Sequence, residues 1–178
     1  MKTAAIFLSV TMFLPVLVAQ LLTSSERERA VAELQASRAV FLDAIRGLSP
    51  AQWSFKPAPD RWSVAECAEH IALAEDSYFN LLAKQLAAGP ATPEKRPEVV
   101  DKDELVLKAM QDRNSKRVAG ESLVPAGRWP AREGLLDHFN QSRNRLIDYV
   151  KSTQDGLRPR FRAHRATGLI DGYQWILL

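Results

Sequence analysis

Apolar positions along this chain recur with the period of a helix rather than that of a strand. The clearest case follows Trp62, where Ser63-x-x-Glu66 forms a capping box, each side chain satisfying a backbone donor at the helix start. Behind that cap Val64, Cys67, Ala68, Ile71, Tyr78 and Leu82 fall at three- and four-residue steps. This predicts a core-facing helix from Val64 to about Ala88, stopped by Gly89-Pro90. Upstream, Ser25-x-x-Glu28 predicts another cap, with Val31, Leu34, Phe41, Ile45 and Leu48 on one face and Gly47 as terminator, a helix of about 22 residues. Arg38 occupies the step missing from that stripe, so its stem should lie along the core edge with the charge turned to water.

Further on, Asp101 or Asp103 can cap a weaker helical stretch through Leu105, Ala109 and Met110 to about Ala119. A stronger one spans Ala131 to Ser152, with Leu135, Leu136, Phe139, Leu146 and Val150 on one side and Gly156 as terminator. Leu169 to Leu178 restarts an apolar helical pattern. The connector Ser49–Arg61 holds Pro50, Pro57 and Pro59 and cannot be helical throughout. Its Trp53 and Phe55, with Trp62, predict that it packs on the helices. Ala91–Val100 reads as a surface loop, and Ser122–Pro130 and Leu157–Gly168 as irregular. No alternating pattern of any length and no internal repeat is present. The fold class is all-α.

At 178 residues the chain is one domain, long enough for a real core. A formal charge of +3 demands no nucleic-acid partner. The single cysteine, Cys67, excludes an internal disulfide. It reads as a small buried apolar residue, with a reactive thiol or metal ligand as the alternative. Lys2, the apolar run Ala4–Val18 and Val18-Ala19-Gln20 follow signal-peptide order, predicting a leader over residues 1–19, export, and a mature domain over residues 20–178. No membrane association is expected after cleavage, a retained anchor being the alternative. The chain stops at Leu178 inside Tyr173-Gln174-Trp175-Ile176-Leu177-Leu178, which reads as a truncated helix or as an apolar end covered by a partner such as a second copy.

His70 lies roughly 120° from the centre of its helix's stripe, facing a groove beside the core. It reads as a metal-ligand candidate or as an imidazole hydrogen-bonded in the groove, with Glu66 as a partner. Glu75 falls near the middle of the stripe, where an unpaired carboxylate is costly. It is either an ion-pair partner of Arg143 or a candidate catalytic carboxylate, as general base or support to a metal. His138 reads as a solvent-side or groove-edge residue, with a metal ligand as the alternative. His164 sits among Arg158, Arg160, Arg162 and Arg165, whose charge disfavours a cation. That cluster reads as a solvated loop or an anion patch.

Three stretches in order, Phe55-Lys56-Pro57-Ala58-Pro59-Asp60-Arg61-Trp62-Ser63-Val64-Ala65-Glu66, Glu69-His70-Ile71 and Leu169-Ile170-Asp171-Gly172-Tyr173-Gln174-Trp175, make residues 26–178 resemble the DinB-like superfamily. The resemblance implies an up-and-down four-helix bundle with long connectors, here with its last helix incomplete. It implies a divalent metal, nickel or zinc, held by three histidines. One comes from the second helix, at the position of His70, and two come from a His-x-x-x-His pair on the last helix, which would lie past Leu178. A site so incomplete would not bind metal tightly in this chain alone. The expected function is an exported metal-dependent transferase or hydrolase acting on a small molecule or thiol. The alternative is a non-catalytic helical binding module.

Overall fold

Reciprocal caps set the starts of four of the α-helices in the computed structural model, which describes residues 21–112, 114 and 118–178. The predicted leader lies outside the described residues. Helix α1 (Ser24–Ile45) has 22 residues, yet its box is Thr23 with Glu26, two positions before the predicted pair. Glu28 thus lies beyond the capping turn. Gly47, at φ +70°, stands just past the end of α1 in the left-handed region that glycine tolerates best. The short α2 (Pro50–Ser54) is boxed by Ser49 and Gln52, and α3 (Val64–Asn80) by Ser63 and Glu66 as predicted. Each such cap is worth about 1 kcal/mol.

Helix α3 runs on through a π-helical turn, Leu81–Leu86, before Gly89. A 3₁₀ segment, Pro93–Glu98, occupies the predicted surface loop and is followed by Val99, fully buried. The weak helix is α4 (Lys102–Gln111), ending well before the predicted Ala119. Another 3₁₀ turn, Glu121–Leu123, leads to α5 (Arg132–Ser152), the predicted span to within one residue.

The apolar face of α5 packs between α1 and α3. Phe41 meets Phe139 edge-on at 4.6 Å, and Arg38 reaches Asn144 at 2.6 Å. Higher numbers on α1 therefore face lower numbers on α5, and the two run antiparallel. Arg27, in the first turn of α1, donates to the Val150 and Thr153 carbonyls at 2.6 Å each. Arg132, in the first turn of α5, donates to the Ile45 and Leu48 carbonyls. Each helix thus carries the cation that satisfies the orphan carbonyls at its neighbour's end, where the helix dipole also favours positive charge. The core gathers Leu34, Leu82, Leu146, Val150, Ile170 and Tyr173.

Several expectations are corrected by the fold. The buried line of α3 is Ala68, Glu69, Ala72 and Glu75, a rotation of the predicted stripe toward two carboxylates. Cys67 falls on the exposed side, where partial burial and the neighbouring Glu66 push its thiol pKa up. Trp53 stacks under the Arg132 guanidinium at 4.7 Å, but Phe55 stays exposed at 64 %.

The largest departure is at the end of the chain. Leu157–Gly168 was expected to be a solvated loop and Leu169–Leu178 a helix. Instead β1 (Phe161–His164) pairs antiparallel with β2 (Gly168–Asp171), Phe161 opposite Asp171 and His164 opposite Gly168. Helix α6 (Gly172–Ile176) follows, boxed by Asp171 and Gln174. Four-residue strands are too short to register as alternation. Arg158 is buried rather than solvated. It bonds Glu26 at 2.7 Å, Asp103 at 2.8 and 3.0 Å and Asp171 at 2.9 Å, and its guanidinium lies 4.0 Å from the centre of the Tyr173 ring. One arginine so ties α1, α4 and the cap of α6 together.

Candidate functional site

Adjacent residues of α3, Glu69 and His70, hold the segment between α4 and α5 against that helix. The Glu69 carboxylate is buried and accepts backbone N–H groups from Ala126 at 2.9 Å, Gly127 at 2.9 Å and Arg128 at 3.2 Å. Burial works to raise its pKa, but these three amides outweigh it and hold the carboxyl below the usual range. His70 approaches the same segment through Nδ1, 2.8 Å from the Leu123 carbonyl oxygen. A carbonyl only accepts, so Nδ1 carries the proton, and in the neutral ring Nε2 is the base. Glu66, the partner expected one turn back, is taken up by Ser63 and by Lys56 at 2.9 Å.

The segment so held forms one wall of a cavity of about 520 Å³. His70, Tyr78 and Trp62 line it from the α3 side, Met110 from the end of α4, Gly120 and Leu123 from the held segment, and His164 to Ala166 from the hairpin turn. Trp62 lies 5.2 Å from the His70 ring, and His164 meets Trp175 edge-on at 5.2 Å. The fold therefore brings His70 and His164 to one cavity. The like charge expected around His164 disperses in space. Arg158 turns into the buried cluster, Arg160 to the Gly89 and Gly156 carbonyls, and Arg162 to Gln85. Arg165 alone of the four stays at the cavity.

Glu75 is elsewhere. It is buried against Arg143, whose Nε donates to it at 2.8 Å with a second parallel N–H bond. Arg143 also donates to the Leu34 carbonyl and to Ser37, at 2.7 Å. The pair borders a separate cavity of about 270 Å³ that shares Tyr78 and Met110 with the first. This is the ion pair expected from the sequence, with its acceptors and donors occupied.

His138 has its Nε2 2.8 Å from Asp76 and its ring 4.7 Å from Trp129. Ser142 donates to the other Asp76 oxygen at 2.7 Å. Serine, histidine and aspartate meet here with the carboxylate in the middle. The imidazole cannot take the serine proton, so this is no nucleophile relay. Burial tends to raise the Asp76 pKa, but Ser142 and His138 bring it below its usual value.

A metal was expected at His70. The Leu123 carbonyl orients the ring as a supporting acceptor would in a metal site. Yet among the described residues no three His, Cys, Asp or Glu side chains converge. The residues present do not fit the three-ligand arrangement of a catalytic divalent metal.

The sequence profile of the DinB superfamily matches residues 33–178. The chain belongs to the DinB superfamily. It is also similar to the uncharacterized protein YuaE of Bacillus subtilis (strain 168), at 24 % identity over 132 residues, covering 74 % of this chain and 76 % of that one. No solved structure matches. The superfamily includes metal-binding members, and the matched span contains α3, the held segment and the hairpin, hence every described wall of the cavity.

Glu69 was missed by sequence reasoning, although a signal existed. Its helix offers no cation at three or four residues on either side, where Glu66, Ala65, Ala72 and Leu73 stand. A carboxylate on the buried side without a local partner points to a partner far along the chain.

Proposed function

We propose that this DinB-superfamily protein binds a small organic molecule in the cavity between α3, the segment Gly120–Leu123 and the hairpin turn. The observation that carries the reading is the convergence of His70, His164, Tyr78 and Trp62 on one cavity of about 520 Å³. That size lies within the usual range for small-molecule sites, and the mixture of aromatic walls with a few polar groups is their usual make-up. The apolar run before Gln20 supports an exported protein that meets its ligand outside the cytoplasm. Ligand-observed NMR of an aromatic fragment set against the purified chain tests the reading. Binding should be seen in the wild type and lost in Ala166→Trp, which plugs the cavity from its exposed rim. Fragments that bind both proteins alike would sink it.

His70 favours a second reading, a metal-dependent transferase or hydrolase. Its Nδ1–Leu123 bond leaves Nε2 as the lone-pair nitrogen of the neutral ring. The remaining ligands would have to come from outside the described residues or from the bound molecule. Calorimetric titration with Zn²⁺ and with Ni²⁺ decides it. A saturable site in the wild type that disappears in His70→Ala supports this reading, and the absence of saturable heat removes it.

A further inference from the structure

We infer that the ligand of this cavity is an organic anion, a carboxylate or similar group on an apolar aromatic or aliphatic body. The inference deepens the small-molecule reading and rests on it. No aspartate or glutamate is among the described residues that line the cavity. Nitrogen-bearing side chains come from two sides instead, His70 from α3 and His164 with Arg165 from the hairpin turn. Arg165 makes one long bond, 3.4 Å to the Val118 carbonyl, and no ion pair with a carboxylate among the described residues. This sets it apart from Arg143 and Arg158, whose guanidinium groups are taken up by Glu75 and by Glu26, Asp103 and Asp171.

A guanidinium offers several donors in a planar fork suited to a carboxylate, and the bond is strengthened by charge. Trp62, Tyr78 and Met110 supply the apolar surface for the rest of the molecule. A divalent cation in the same space would face Arg165 with no carboxylate to balance it, which runs against the usual make-up of such sites. The lining therefore selects for negative charge, and the disagreement with a resident metal has a physical cause.

Three probes of one shape and different charge test this: 2-naphthoate, 2-naphthamide and 2-naphthylmethylammonium, titrated by calorimetry into the purified chain near pH 7. Naphthoate should bind about tenfold or more tighter than naphthamide, the ratio expected from a charge-assisted bond, with the ammonium probe weakest. Arg165→Gln should remove the advantage of naphthoate and leave naphthamide unchanged, and Ala166→Trp should abolish both. Both positions are exposed, and a wild-type thermal melt confirms that each variant folds. Equal binding of the three probes, or tightest binding of the ammonium, overturns the anion preference while the small-molecule reading stands. Naphthoate binding that survives Ala166→Trp places the site elsewhere and overturns the inference. If no probe binds at millimolar concentration, both fall together.

Discussion

A buried carboxylate with two guanidinium bonds is a structural element before it is a chemical one. Glu75 and Arg143 satisfy each other, and Arg143 spends its remaining donors on Leu34 and Ser37. Removing one partner leaves the other charge buried and unpaired, at a cost of about 3–5 kcal/mol, whereas replacing both with apolar side chains is often close to neutral. Glu75→Leu should therefore destabilise strongly in urea denaturation, and Glu75→Leu with Arg143→Met should recover most of that loss. If the single variant unfolds at the wild-type midpoint, the pair is not the structural element described. This pairing was legible in the sequence, because both residues interrupt apolar stripes at helical spacing. His70 beside a cavity was legible for a different reason, its angular place on the flank of the apolar stripe. Its partner was not, since Leu123 lies 53 positions away and contributes a backbone carbonyl, a group every residue carries.

Among the elements, the long helices were readable because many periodic positions agree with one another over several turns. α5 was located to within a residue. The hairpin was not readable, because four residues per strand give only two per face. Its anchoring also depends on close approach. A Cβ on Gly172 would stand 2.9 Å from the Leu157 carbonyl oxygen, so α6 begins on a residue with no side chain to clash. Helix ends show how much stabilisation is shared between elements. Arg132→Met, which keeps the apolar stem and removes the donors to Ile45 and Leu48, should cost about 1–3 kcal/mol. Amide hydrogen exchange should rise in the last turn of α1, a helix that does not contain the substituted residue. Unchanged exchange there would show that water replaces the arginine without loss.

For the molecule as a whole, five carboxylates have pKa values held below their usual range. At Glu66 the Ser63 amide and then Lys56 do this; at the other four burial acts first and upward, and is outweighed by Thr23 and Arg158 at Glu26, by the loop amides at Glu69, by Ser142 and His138 at Asp76, and by Arg158 and Gln174 at Asp103. A depressed folded pKa means that the unfolded chain binds more protons, so the stability these groups supply is present above about pH 4.5 and is lost as pH falls through the folded values. Asp171 acts oppositely. Its complete burial raises its pKa in spite of Arg158, so its contribution is present at low pH and is lost as pH rises through the folded value. With five groups against one, Tm should fall between pH 6 and pH 3. The fall should be smaller in Glu69→Gln, and a Tm that is flat or rising over that range would contradict the assignment.

The hold of two neighbouring residues on one connector has a consequence for how this protein can vary. Glu69 and His70 belong to the same turn of the same helix, so the segment from Leu123 to Arg128, which brings Leu123 to the cavity wall, is mounted on α3 rather than suspended between α4 and α5. Substitutions that shift the packing of α1 or α5 would carry that wall along with α3 and leave its spacing from His70 intact. The lineage can thus revise its core over long times while the chamber keeps its dimensions, and changes of ligand preference should arise on the opposite, hairpin side, where Arg165 and Ala166 are free of such a mount.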